Sequence, residues 1–209
     1  EIVGFDIDVA QEVCNRLGIE LVKQPIVWKT LILELSNGTV DCVWNGLSVN
    51  SERQEKLLLS TPYMYNHMAI AVKTGSEIKS KADLAGKKIA VQAGSTVKDA
   101  IAAEEGLLES FGELVEADSN ALALVELKLG SVDAVIADEV LLNAHIKGDV
   151  ETYTLLTDYV GDKEEYAVGF RKENVSLCDK ITETILAMKE DGALAKISEE
   201  WFGKDVTIL

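Results

Sequence analysis

The chain has 209 residues, 47% hydrophobic and 27% charged, the composition of a globular protein and not of a disordered one. Its net charge of −16 argues against nucleic acid or an anionic membrane surface as a partner. No apolar run approaches the roughly 18 residues of a membrane span, so direct membrane insertion is not expected either.

Phe5 to Leu17 reads as a helix: Phe5, Ile7, Val9, Ala10, Val13, Cys14 and Leu17 form its apolar set, and Gly18 ends it. Asp6 and Asp8 in its first turn complement the helix dipole and read as capping residues. Ile19 to Lys23 alternates as a strand. Trp28 to Leu35 reads as a second helix, stopped by Asn37-Gly38, with Trp28 either a core aromatic or a cleft wall. Val40 to Trp44 is a short apolar strand. It runs into Asn45-Gly46, small residues that let backbone approach a ligand, and then into Ser48, Ser51 and Arg53. A turn of free N–H groups, hydroxyls and one guanidinium suits a small carboxylate, because arginine presents a planar bidentate fork. The other reading of Arg53 is a solvated member of the Ser51-Glu-Arg-Gln-Glu-Lys56 charge cluster. Leu57 to Ser60 closes this stretch as a strand. The β-α-β pattern of this first part predicts a parallel sheet with right-handed crossovers, which binds small ligands where its strands end.

His67 to Lys73 is the next strand, followed by one at Lys88 to Gln92. Ala93-Gly94 turns the chain into a helix predicted from Ser95 to Glu104. Ser95 and Thr96 then stand at a helix N-terminus, either as an anion site or as ordinary caps. A Walker loop is excluded by the missing G-K-S/T. Leu114 to Ala117 reads as a strand, and Ser119 to Leu129 as a helix ended by Gly130. Val132 to Ala137 is an apolar strand leading into Asp138 and a helix through Ile146. Asp138 can hold an ammonium at the strand's end, or cap the helix. His145 reads as a surface residue. Strands at Glu151–Leu156 and Glu165–Phe170, then helices at Ser176–Lys189 and Leu194–Trp201, complete the chain, with Trp201-Phe202 a packing anchor. The three cysteines, Cys14, Cys42 and Cys178, have no zinc-ligand or C-x-x-C spacing, and three thiols cannot all pair within the chain. No Cys/His or Ser/His/Asp arrangement suggests catalysis, and no metal or cofactor is expected.

Four stretches in order resemble signatures of the family 3 extracellular solute-binding proteins. They are Gly4-Phe-Asp-Ile-Asp-Val-Ala10, Gly46-Leu-Ser-Val-Asn-Ser-Glu-Arg53 with Leu59-Ser-Thr-Pro-Tyr63, Asp83-Leu-Ala-Gly-Lys-Lys-Ile-Ala-Val-Gln-Ala-Gly-Ser-Thr96, and Asp191-Gly-Ala-Leu-Ala-Lys-Ile-Ser-Glu-Glu-Trp-Phe-Gly203. The resemblance covers nearly the whole chain. It implies an α/β fold of the periplasmic-binding-protein-like type II, two α/β lobes with a ligand cleft between them. Residues 1–67 with 166–209 would form one lobe and 68–165 the other. The first-lobe N-terminal strand that the family carries upstream, with its ligand-stacking aromatic, would be missing from this sequence.

The resemblance further implies that Gly46, Ser48, Arg53, Thr96 and Asp138 bind a free amino acid, the carboxylate on Arg53 and Thr96 and the ammonium on Asp138. Ser95, Asn45, Trp28 and Gln92 join them as candidate ligand contacts, and Trp44, Asn66 and Tyr166 as further pocket residues. The neutral amide of Gln92 and the aromatics point to a polar or neutral ligand over a cationic one. The ligand would favour a closed state of the lobes, which the membrane subunits of an ABC transporter read. The family implies a periplasmic or extracellular location, with a lipid anchor on a cysteine upstream of residue 1. Two alternatives share the scaffold: a ligand-sensing module of a receptor or histidine kinase, and a dehydratase-like enzyme.

Overall fold

The computed structural model describes residues 2–209, so the start of the first predicted lobe, Glu1, lies outside the described residues. Helices α1 (Phe5–Leu17) and α2 (Leu31–Ser36) come first, with a 3-10 turn at Trp28–Thr30 before the second. Strand β1 (Cys42–Ser48), helix α3 (Ser51–Lys56) and strands β2 (Leu58–Leu59) and β3 (Met64–Lys73) follow. Next are β4 (Lys88–Gln92), α4 (Val97–Ala102), α5 (Leu107–Ser110), β5 (Glu113–Ala117), α6 (Asn120–Leu129), β6 (Ala134–Asp138) and α7 (Glu139–Ile146). The long strand β7 (Tyr153–Phe170) leads to α8 (Val175–Glu190) and α9 (Ala193–Phe202). Among the described residues no helix is long and apolar enough to cross a membrane.

The chain divides into two compact units. The first contains the residues up to Ile26, Thr30–Tyr65 and Glu164–Leu209; the second contains Val27–Lys29 and Asn66–Lys163. Besides the short excursion at Val27–Lys29, the crossings fall inside β3 and β7, so each of these strands begins in one unit and ends in the other.

In the first unit α1 buries Phe5, Val9, Ala10, Val13 and Cys14 against α8, α9 and β1. The stripe Cys178, Ile181, Ile185 and Met188 of α8 is buried in return. Each such aliphatic side chain contributes about 1.5–3 kcal/mol when fully buried. Phe202 packs its ring, tilted by 52°, with its centroid 5.2 Å from that of Phe5, as an anchor should. Trp201 is 38% exposed, and its indole N–H donates to Asp8 at 2.7 Å. The strands correct the sequence reading. Both β1 and β2 pair antiparallel with β7, through Cys42↔Phe170, Ser48↔Tyr166 and Leu58↔Phe170. The predicted parallel β-α-β unit is absent among the described residues because the partner strand arrives more than 100 residues later. Ile19 to Lys23 forms no strand: no described strand offers it a ladder, and Val22 is 74% exposed. The two strands predicted within 151–170 are one continuous element.

In the second unit the strand order is β3-β6-β4-β5. Strands β4, β5 and β6 are parallel, with Ala90 opposite both Val115 and Val135, and β3 joins antiparallel through Met68↔Asp138. Alternation of side chains sends Met68, Ile70, Ile89, Val91 and Ile136 to one face, against Val97 and Ile101 of α4. It sends Ala69, Ala71, Ala90 and Val135 to the other, against Leu124 and Leu127 of α6 and Leu142 of α7. Both faces are covered, which is why β4 and β6 read as apolar runs. The parallel register places the ends of β4 and β6, Gln92 and Asp138, at one edge of this sheet. The antiparallel β3 brings Asn66 to the same edge.

Candidate ligand-binding site

The first unit gathers its candidate groups at the end of β1. The ladder with β7 breaks register between Val43 and Leu47, and Gly46 sits in this irregularity at φ +63. A side chain there would be strained, and its Cβ would lie 3.2 Å from the Tyr166 ring. The Gly46 N–H donates to Asp6 Oδ2 at 2.6 Å, and the Tyr63 hydroxyl donates to Asp6 Oδ1 at 2.7 Å. Asp6 therefore does not cap α1: it is buried and ties the helix to the β1 irregularity. Burial pushes its carboxyl up to about 6, although the bonds from Tyr63 and Gly46 pull it down. Burial, then the Asp6 charge, pushes the Tyr63 phenol well up.

Beyond the end of β1 at Ser48, the chain turns into α3 at Ser51. Asn50 caps this helix by accepting from the Arg53 backbone N–H at 2.9 Å. The cap sets Arg53 in the first turn with its side chain folded inward, so Arg53 is only 4% exposed. Its Nη1 donates to the Ser48 carbonyl at 2.6 Å. The solvated-charge alternative for Arg53 is thereby ruled out: Glu52 and Lys56 pair with each other on the outside at 2.6 Å. Ser48 is also buried, and its hydroxyl donates to Glu164 Oε2 at 2.6 Å. Gly46, Ser48 and Arg53 are thus brought together, whereas Asn45 is exposed beside them.

The second unit gathers its own group. Asp138 occupies the N-cap position of α7 but makes no side-chain cap. Its Oδ1 instead accepts from Asn66 Nδ2 at 2.8 Å. Asn66 is buried, and its Oδ1 has no hydrogen-bond partner among the described residues. At the end of β4, Gln92 Oε1 accepts from Asn120 Nδ2 at 3.0 Å, and the Gln92 carbonyl accepts from the Ser95 hydroxyl at 2.8 Å. Ser95 therefore bonds back to the strand and does not cap α4. That helix starts only at Val97, with Thr96 buried at its N-cap position, so it is shorter than the predicted 95–104. Trp28 is half-buried on a 3-10 turn and not on the regular helix expected there. The turn lies against Gly94, where a Cβ would come 2.5 Å from Lys29 Cα. Gly94 also has φ +78. Gly94→Ala is expected to cost the protein about 2–5 kcal/mol, the sum of a left-handed penalty and overpacking against backbone. Urea unfolding measures this; a loss below about 0.5 kcal/mol would mean that the Lys29 backbone yields freely.

Sequence reading missed Asp6, Tyr63, Glu164 and Asn120. Asp6 had a signal, since positions 6, 9, 10 and 13 lie on one helical stripe and the other three are apolar. Glu164 had none inside the charged run Asp162-Lys-Glu-Glu165.

Comparison with known proteins follows the same lines. The model of the bacterial extracellular solute-binding proteins, family 3, matches residues 1–204. The L-cystine-binding protein TcyJ of Escherichia coli (strain K12) is 30% identical over 211 aligned positions, which cover 99% of this chain and 77% of that protein. The ABC transporter arginine-binding protein 1 of the same strain is 31% identical over 206 positions, covering 97% of this chain and 82% of that protein. Among solved structures, an ABC uptake transporter substrate binding protein from Streptococcus pneumoniae with bound histidine matches at TM-score 0.92 and 37% identity. That match covers 99% of this chain and 86% of that one.

Proposed function

Because the chain belongs to the bacterial extracellular solute-binding proteins of family 3, we propose that it captures a free amino acid outside the cell membrane and hands it to the membrane subunits of an ABC importer. Its mixed α/β fold is that of solved periplasmic amino-acid-binding proteins. The observation that carries the reading is Arg53, a buried guanidinium fixed on the Ser48 carbonyl beside Gly46. A guanidinium held in one orientation is a pre-organised fork for a carboxylate. In our reading Arg53 takes the ligand's carboxylate, with Gly46 leaving room for its approach and Ser95 and Thr96 as further donors. Asp138, oriented by Asn66, takes the ammonium. Trp28, Asn45 and Gln92 meet the ligand side chain. The neutral amide pair Asn120–Gln92 supports a polar, uncharged side chain over a cationic one.

The ligand is bound and released without chemical change. A thermal-shift screen of the twenty amino acids and cystine tests the proposal. Ligand at about 100 times Kd adds about 2.7 kcal/mol. For a chain of this size that raises Tm by about 5–10 °C. One or a few amino acids should do so, and each should be recovered intact after prolonged incubation. A flat screen would reject the amino-acid reading, and turnover would reject the role of pure carrier.

A further inference from the structure

Successive residues of a strand point to opposite faces of its sheet. In β3, Asn66 meets Asp138, and the next residue, His67, meets Glu139 at the start of α7. Side chains from three elements of the second unit gather there: His67 of β3, Glu139 of α7 and Tyr159 of β7. His67 Nδ1 lies 3.7 Å from Glu139 Oε2, too far for a hydrogen bond. The Tyr159 hydroxyl donates to the other carboxylate oxygen, Oε1, at 2.9 Å. This bond to Glu139 raises the phenol above its ordinary value, so Tyr159 stays protonated and remains a donor. The Tyr159 ring also stacks on the imidazole, with centroids 4.4 Å apart and planes 20° from parallel.

One tyrosine therefore fixes both neighbours. The stack sets the plane of the imidazole, and the hydroxyl sets the rotation of the carboxylate. An imidazole with its proton on Nε2 turns a lone pair toward Oε2. Two such electron-rich atoms repel unless a cation lies between them. A proton on Nδ1 would draw the pair together to about 2.7–2.9 Å, the length of a charge-assisted bond. A tetrahedral zinc ion, bound to each at about 2.0–2.2 Å, would separate them by about 3.3–3.6 Å. The observed 3.7 Å is close to the metal spacing and far from the proton's. The imidazole and the carboxylate are 34% and 31% exposed, which leaves room for water on such an ion. A carboxylate that binds metal is itself held by a hydrogen bond, as Tyr159 holds this one.

We propose that His67 Nδ1 and Glu139 Oε2 hold a divalent ion of the zinc type on the second unit, with water at its open positions and Tyr159 positioning both ligands. The pair faces away from Asn66 and Asp138 across β3, and the proposal does not depend on the amino-acid reading.

Zinc chloride titrated into the full chain without amino acid, followed by calorimetry, tests it. One saturable site is expected. His67→Ala and Glu139→Gln should each abolish it. Tyr159→Leu keeps both ligands and should weaken it by about tenfold or more. His145→Ala should change nothing, which matters because the chain has only two histidines. Magnesium should not compete, since it takes oxygen ligands and gains little from an imidazole. All three site residues are partly exposed, and unchanged far-UV dichroism will show that the variants fold. Absence of saturable zinc binding to the wild type would overturn the proposal. So would binding that survives His67→Ala, or binding unaltered by Glu139→Gln, which would be a lone imidazole. Equal competition by magnesium would mean diffuse attraction to a chain of net charge −16, and would overturn it too. Unchanged affinity in Tyr159→Leu would remove the positioning role. None of these results touches the amino-acid screen.

Discussion

Arg53→Ala will lower amino-acid affinity by about 100-fold or more, and Arg53→Lys will not restore it. The expectation follows from how the side chain is held. Arg53 is almost fully buried, and its Nη1 is tied to the Ser48 carbonyl at 2.6 Å. Two hydrogen bonds from such a fork to a carboxylate are worth about 1.5–3 kcal/mol each when one partner is charged. The loss of both corresponds to about 3–6 kcal/mol, hence the factor of at least about 100. Lysine supplies a point charge on a flexible stem and cannot reproduce two parallel N–H bonds. The helix that carries residue 53 should survive, since Asn50 caps it through the backbone N–H. Calorimetry on variants with unchanged far-UV dichroism separates binding from folding. Affinity within tenfold of wild type in Arg53→Ala would remove Arg53 from the site.

The second large effect concerns stability and pH. Asp6 is buried with a carboxyl pushed up to about 6 from an ordinary value of 3.8, mainly by burial. Between those values the folded protein keeps a proton that the unfolded chain has released. The folded state then binds more protons, so the stabilisation is complete below about pH 4 and is lost as pH rises through about 6. The difference of about two pKa units corresponds to about 3 kcal/mol. Asp6→Asn has no such proton to lose. Its stability relative to wild type should therefore rise by about 3 kcal/mol between pH 4 and pH 7.5, while every other titration cancels in the comparison. Urea unfolding at a series of pH values measures this, following the transition of the unit that holds Asp6, Tyr63 and Gly46. A difference that stays flat with pH would show that Asp6 is not a buried titrating group. The same measurement bears on function, because Asp6 holds the N–H of Gly46, which in our reading leaves room for the ligand's approach.

Helices α1, α6 and α8 were legible in the sequence, because apolar residues recur at helical spacing and Gly18 and Gly130 stop the first two in the left-handed conformation. Strands β4 and β6 were legible too, since both faces of their sheet are covered and the runs are apolar throughout. These are local properties, and the chain states them within a dozen residues. The motif order pointed to the family by itself, and to Arg53 and Asp138 as residues of interest. What it left open was their environment. Whether Arg53 was solvated or buried depended on the cap at Asn50 and on the Ser48 carbonyl. Whether Asp138 capped a helix depended on Asn66, which an antiparallel strand delivers from 72 residues away. Ile19 to Lys23 has the alternation of a strand and is none, because a strand exists only where another backbone completes its hydrogen bonds. Strands β1 and β2 found that completion in β7, antiparallel and distant in the chain, where local pattern suggested a parallel neighbour. Asp6 and Glu164 show the same division. As letters they are two acids among 36. The tertiary structure makes one a buried tie for Gly46 and the other the acceptor of the Ser48 proton, because only the folded chain decides which donor each carboxylate meets and how much water remains around it.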